Sequence, residues 1–150
     1  MQEFELEMSK YAMEVLTKSN NMDKVMDFVE LSVRDLGNPH ISKQLTLVGE
    51  ELAYNIFSYA YDDSPGAFVL KINLSPENNK VTMEFRDEGK PFNPLDSGVP
   101  DLSVPIAERK IGGLGIALSK KLTDKQIYKY ENGHNILVIE KNIEPSTNAG

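Results

Sequence analysis

The sequence predicts an α+β fold, a two-layer sandwich in which a mixed sheet of four or five strands is covered on one face by three helices. Three observations predict it. Between residues 22 and 60 apolar side chains recur at three- and four-residue steps, the period of amphipathic helices. After the turn Asp62-Asp63-Ser64-Pro65-Gly66 the pattern switches to alternation, the period of half-buried strands. Two turn signals, Ser75 to Asn79 and Asn132-Gly133, each sit between alternating runs and mark antiparallel hairpins. With 150 residues, 40% of them hydrophobic, the chain has material for one core and therefore one domain.

Taken in order, Glu3 to Met8 alternates Phe4, Leu6 and Met8 with glutamates, which fits an extra edge strand or a frayed acidic terminus. Tyr11 to Lys18 is a strand with Met13, Val15 and Thr17 on one side. Asn20 and Asn21 offer caps to a helix from about Met22 to Leu36, whose stripe is Met22, Val25, Val29, Ser32 or Val33, and Leu36. Gly37, Asn38 and Pro39 stop it, and His40 falls in the loop that follows. The second helix runs from Leu45 to Ala60, burying Leu45, Val48, Leu52, Ile56 and Tyr59. Phe68 to Leu74 and Val81 to Phe85 are the strands of the first hairpin. From Gly89 to Lys110 periodicity is lost and five prolines or glycines intervene, so the segment is a long loop of the functional kind. Leu114 to Leu122 is a short helix, Gln126 to Tyr130 and Ile136 to Lys141 form the second hairpin, and the residues after 142 form a loose tail.

Composition excludes several functions. A net charge of −7 argues against a broad basic surface for nucleic acid or an anionic membrane, while leaving room for a local phosphate site. The absence of cysteine removes disulfides and thiolate chemistry, and no apolar run is long enough to cross a bilayer. A cytoplasmic protein is expected. His40 and His134 are the only histidines and neither has a second ligand at zinc spacing.

Three stretches carry chemistry. On the Leu45 helix, Glu51 and Asn55 lie one turn apart on a flank of the apolar stripe, with Glu50 on the far side. A carboxylate there can take a proton and a carboxamide oxygen can ligate a hard cation. At the end of the Val81 strand, Asp87 can accept from an exocyclic amine, and Gly89 lets a flat ligand approach the backbone. The run Ile111-Gly112-Gly113-Leu114-Gly115 opens a helix, where backbone N–H groups converge on an anion, and Arg109 and Lys110 add charge for a terminal phosphate. Alone, each pattern is also what an exposed helix face, an acidic turn or a glycine hinge would show.

Together, in this order, they resemble the GHKL ATPase superfamily of histidine kinases, type II topoisomerases and MutL. In that resemblance Glu51 and Asn55 match the E-x-x-x-N box, Asp87 and Gly89 the D-x-G box, and Gly113, Leu114 and Gly115 the glycine box closing the nucleotide lid. Small size, the run Asp87 to Pro94 and the closing run Asn135 to Lys141 are most similar to the anti-sigma-factor serine kinases of bacterial stress and sporulation switches. Two positions depart from the superfamily: Pro91 replaces a second glycine, and Tyr59 stands where relatives often carry histidine.

The resemblance implies an ATP-binding domain over residues 10–142, with a lid at about 90–112 between a 1–9 extension and a 143–150 tail. It implies Mg²⁺ held by Asn55 and the phosphates, adenine against Asp87 and Gly89, and Gly113 and Gly115 around the phosphate tail with Leu114 and Arg109 beside them. Glu51 would be the general base for a serine on an anti-sigma-factor antagonist. A sigma factor would be the second partner, bound by a homodimer with the first helix at its interface, without direct contact to nucleic acid. The rival expectation is a non-catalytic module that uses nucleotide only to shape a partner surface.

Overall fold

The computed structural model describes residues 10–62, 64–75, 79–96 and 113–143. Five strands, β1 (Lys10–Leu16), β2 (Ala67–Ser75), β3 (Lys80–Asp87), β4 (Lys125–Glu131) and β5 (His134–Asn142), form one sheet in the order β1-β2-β3-β5-β4. All four ladders are antiparallel, so the sheet is uniform rather than mixed. The reason lies in the connections: β2–β3 and β4–β5 are hairpins, and the longer crossovers return each chain segment against its neighbour's direction. Asn132 and Gly133 both adopt positive φ, 53° and 81°, which suits the two-residue turn of the second hairpin.

Helices α1 (Met22–Val33), α2 (Pro39–Tyr59) and α3 (Gly113–Leu122) cover one face. Val25, Val29 and Val33 from α1, Leu45, Val48 and Leu52 from α2, and the alternate residues Phe68, Leu70, Ile72, Val81, Met83, Phe85 and Ile139 of the sheet are all buried in one core. Gly49 brings α1 and α2 close: a Cβ there would stand 3.1 Å from the Val29 side chain and 3.3 Å from Met83.

Several boundaries differ from the sequence reading. The first helix ends at Val33 rather than Leu36, and Leu36 packs on the core from the following turn. The second begins at Pro39, six residues early, because Asn38 Oδ1 accepts from the Ile41 N–H at 3.2 Å and proline suits the first helical position. His40 is therefore an exposed residue of the first helical turn and not of a loop. Tyr59 is 38% exposed, so the buried stripe of α2 closes at Ile56 and Phe57 instead. The expected strand at Glu3 to Met8, most of the lid and the C-terminal tail lie outside the described residues. No helix among the described residues is long and apolar enough to cross a membrane.

Candidate functional site

Helix α2 touches two of the three chemistry-bearing stretches. Its C-terminal cap, Ala60, meets the turn after β3. A Cβ on Gly89 would fall 2.1 Å from the Ala60 carbonyl oxygen, and the Lys90 N–H donates to that same oxygen at 3.2 Å. Glycine at position 89 is thus required by the helix end, a constraint the sequence reading assigned to an approaching ligand. Nine residues earlier on α2, about 13 Å along its axis at 1.5 Å per residue, Glu51 faces the first turn of α3. Its Oε2 lies 2.3 Å from where a Cβ on Gly115 would stand. Gly115 is buried, and its missing side chain is the space the Glu51 carboxylate occupies.

Glu51 and Asn55 are both half-buried on one flank of α2, while Glu50 is exposed, as the helical period requires. Burial first, and the neighbouring Glu50 carboxylate second, raise the Glu51 carboxyl above its ordinary value. A carboxylate shifted in that direction is a better proton acceptor.

Asp87 ends β3 and is 5% exposed. Its Oδ1 accepts from the Gly89 N–H at 2.8 Å and from the Asn135 side-chain amide at 2.9 Å. Burial pushes its carboxyl above the ordinary value, and the Asn135 and Gly89 hydrogen bonds and nearby His134 oppose that rise. Tyr61 braces the same turn from the other side, its hydroxyl donating to Ala67 O at 2.5 Å and accepting from the Glu88 N–H at 2.7 Å.

Three residues that hold this corner were not singled out by sequence. Asn135 entered only as part of a closing strand, yet it stands directly opposite Asp87 in the β3–β5 ladder. Tyr128 entered only within the strand Gln126 to Tyr130, and Tyr61 fell between the second helix and the turn that follows it. The signal that would have found Asn135 is register: pairing β5 back from the Asn132-Gly133 turn sets a buried amide beside the aspartate, once β3 is known to be its neighbour.

Gly113 and Leu114 are the first two residues of α3. Arg109 lies outside the described residues, as do Lys110 and Gly112. No group of three or more His, Cys, Asp or Glu side chains that could hold a metal occurs among the described residues. A cation here would depend on the Asn55 carboxamide and on ligands from an anionic guest, the donor set of a metal carried in with phosphates.

Residues 16–141 match the family model described as the histidine kinase-like ATPase domain. No curated protein matches the sequence significantly. Among solved structures, the crystal structure of the RsbU and RsbW domains of Rv1364c from Mycobacterium tuberculosis resembles the chain with a TM-score of 0.63 at 12% identity. The match covers 89% of this chain and 32% of that one, so this chain spans about a third of that structure, and the likeness is one of fold.

Proposed function

The chain belongs to the histidine kinase-like ATPase family, and from that premise we propose that it binds Mg-ATP and acts as an anti-sigma regulatory factor with protein serine kinase activity. The observation that carries the nucleotide reading is the double contact of α2, with Ala60 against Gly89 at its C-terminal cap and Glu51 against Gly115 nine residues earlier on the same helix. In this reading one helix would space the Asp87–Gly89 corner, as the base site, from the first turn of α3, as the phosphate site.

In this reading Asp87 accepts from the exocyclic amine of adenine through Oδ2, since the Gly89 and Asn135 donors both take Oδ1. Asn55 offers its carboxamide oxygen to Mg²⁺. Gly113, Leu114 and Gly115 present backbone N–H groups at the start of α3 to the phosphates, with Arg109 adding charge. Bound Mg-ATP supplies the phosphoryl group. Glu51 takes the proton from a serine hydroxyl of the partner, for which its raised proton affinity suits it. The partner class, an anti-sigma-factor antagonist, and the sequestered sigma factor rest on the resemblance of the Asp87 to Pro94 and Asn135 to Lys141 runs to the anti-sigma-factor serine kinases, as does the homodimer.

The test is a thermal melt with and without Mg-ATP on the wild type and Asn55→Ala, followed by a phosphoryl-transfer assay on Glu51→Gln. Nucleotide at a hundredfold over its dissociation constant adds about 2.7 kcal/mol, a rise of roughly 5–10 °C for a chain of this size. Asn55→Ala is expected to lose most of that rise. Glu51→Gln is expected to keep it and lose transfer. A wild type indifferent to millimolar Mg-ATP would end the nucleotide reading; one that binds but never transfers would leave a nucleotide-responsive regulator.

A further inference from the structure

We propose that Asn135 is the positioning residue for nucleobase recognition: its side-chain amide fixes which oxygen of Asp87 is left to accept from the base, and ties that carboxylate to the segment that follows it. The inference rests on the nucleotide reading above and names a residue that reading did not assign.

Asn135 is 6% exposed and every polar atom of its side chain is engaged. Its Oδ1 accepts from the Phe92 N–H at 3.0 Å and from the Tyr128 hydroxyl. A backbone N–H can only donate, so the oxygen must face Phe92 and the NH₂ must face the other way. There Nδ2 donates to Asp87 Oδ1 at 2.9 Å and to Lys90 O at 2.9 Å, with Gly89 O at 3.4 Å. The orientation of the amide is thereby dictated from one side and read out on the other. Asp87 Oδ1, already bonded to the Gly89 N–H at 2.8 Å, is filled, and Oδ2 is the acceptor left for a guest. A carboxylate held in this state selects bases that present an amine at that point.

The same amide also joins three strands to the loop. Asn135 pairs with Asp87 on one side and with Tyr130 on the other, so β3, β5, β4 and the chain from Lys90 to Phe92 meet at one side chain. The groups facing Asp87 that titrate or carry charge are His134 on β5, Glu88 beside it, Tyr61 after α2, and Tyr128 on β4. His134 Nε2 lies 4.0 Å from Glu88 Oε2, and the histidine also acts on Asp87, so the experiment removes it.

The test is Mg-ATP affinity by calorimetry from about pH 8 to about pH 4, a range that crosses imidazole titration and reaches that of carboxylates, on the wild type, Asn135→Asp and Asn135→Ser. All are repeated with His134→Gln to remove the histidine, and circular dichroism verifies the fold. Asn135→Asp is nearly isosteric but sets a second carboxylate against Asp87, and two such groups in contact hold one proton between them. The wild type is expected to lose affinity on acidification as Asp87 loses its acceptor. Asn135→Asp is expected to bind about tenfold or more weakly at the alkaline end, where the two carboxylates repel, and to gain affinity on acidification, as a proton bridging them relieves the repulsion and returns the Asp87 carboxyl to its place with Oδ2 free to accept. Opposite slopes are something a merely structural residue does not produce. Asn135→Ser, whose hydroxyl can donate to Asp87 without reaching Lys90, is expected to keep the wild-type slope at lower affinity, and it decides the matter should the Asp variant be unfolded. Parallel slopes with wild-type affinity in both variants would overturn the role of Asn135 and leave the pocket standing. A wild type that binds no Mg-ATP would overturn the nucleotide reading, and this inference with it.

Discussion

Asp87 shows what a buried carboxylate costs the fold. Its folded pKa is raised by burial, so the native state holds the proton more tightly than the unfolded chain. The stability it contributes is complete below the unfolded pKa and is lost as pH rises through the folded one. At neutral pH the ionised group is therefore destabilising. Asp87→Asn keeps an oxygen for the Gly89 and Asn135 donors and removes the charge. The variant should melt above the wild type at pH 7, with the difference closing below about pH 4, while the Mg-ATP shift disappears. Scanning calorimetry at the two pH values decides it; a variant less stable than wild type at pH 7 would contradict the burial cost. Gly89 carries a different constraint. Its substitution by alanine forces a Cβ to within 2.1 Å of a backbone oxygen, which cannot swing aside as a side-chain tip would. A loss of about 1–3 kcal/mol is expected on urea unfolding, with the turn after β3 displaced. Sequence singled out residues 87 and 89, but the contact of the glycine with Ala60 was not legible there, because a D-x-G run says nothing about which distant backbone lies against it.

At the level of elements, α2 does the most to position the site, and its contacts explain what could be read in advance. The 3.6-residue period of Leu45, Val48 and Leu52 is local information, and it placed Glu51 and Asn55 on one flank correctly. The helix start was misjudged because capping by Asn38 competes with the stop signal of Gly37, which has φ of 77°, and the two lie side by side. Contact between Glu51 and Gly115 was not legible at all, since it depends on how α3 packs against α2. That contact makes a prediction of its own. Gly115→Ala sets a methyl 2.3 Å from Glu51 Oε2, and the flexible carboxylate end moves at little cost to stability. Phosphoryl transfer should fall by about 10²–10⁴-fold, the usual worth of a placed general base, while the thermal shift with Mg-ATP is largely kept. Loss of nucleotide affinity before loss of transfer would mean that Gly115 serves the phosphates and not the carboxylate.

For the whole molecule, the alternating strands and two hairpin turns made the layer architecture readable, whereas sheet order and direction were not. The β1–β2 and β3–β5 pairings join segments separated by a helix pair and by the long loop, and nothing local distinguishes parallel from antiparallel closure. The resulting order places β3 at the centre with β2 and β5 on either side, and leaves β1 and β4 at the edges. Hydrogen exchange should follow that order. Amides of β3 are bonded into ladders on both sides of a buried strand and open only with the whole core, whereas among the described residues β1 and β4 each have one partner strand and exposed side chains such as Leu16 and Ile127. Exchange in β3 is expected to be slower than in β1 and β4 by about tenfold or more. Mg-ATP should then add protection at two separated places, Gly89 to Phe92 and the first turn of α3, because those are the regions that Ala60 and Glu51 hold against two points of one helix. Protection confined to one of them would show a ligand too short to bridge the path, and protection concentrated on β1 would move the binding surface to the sheet edge.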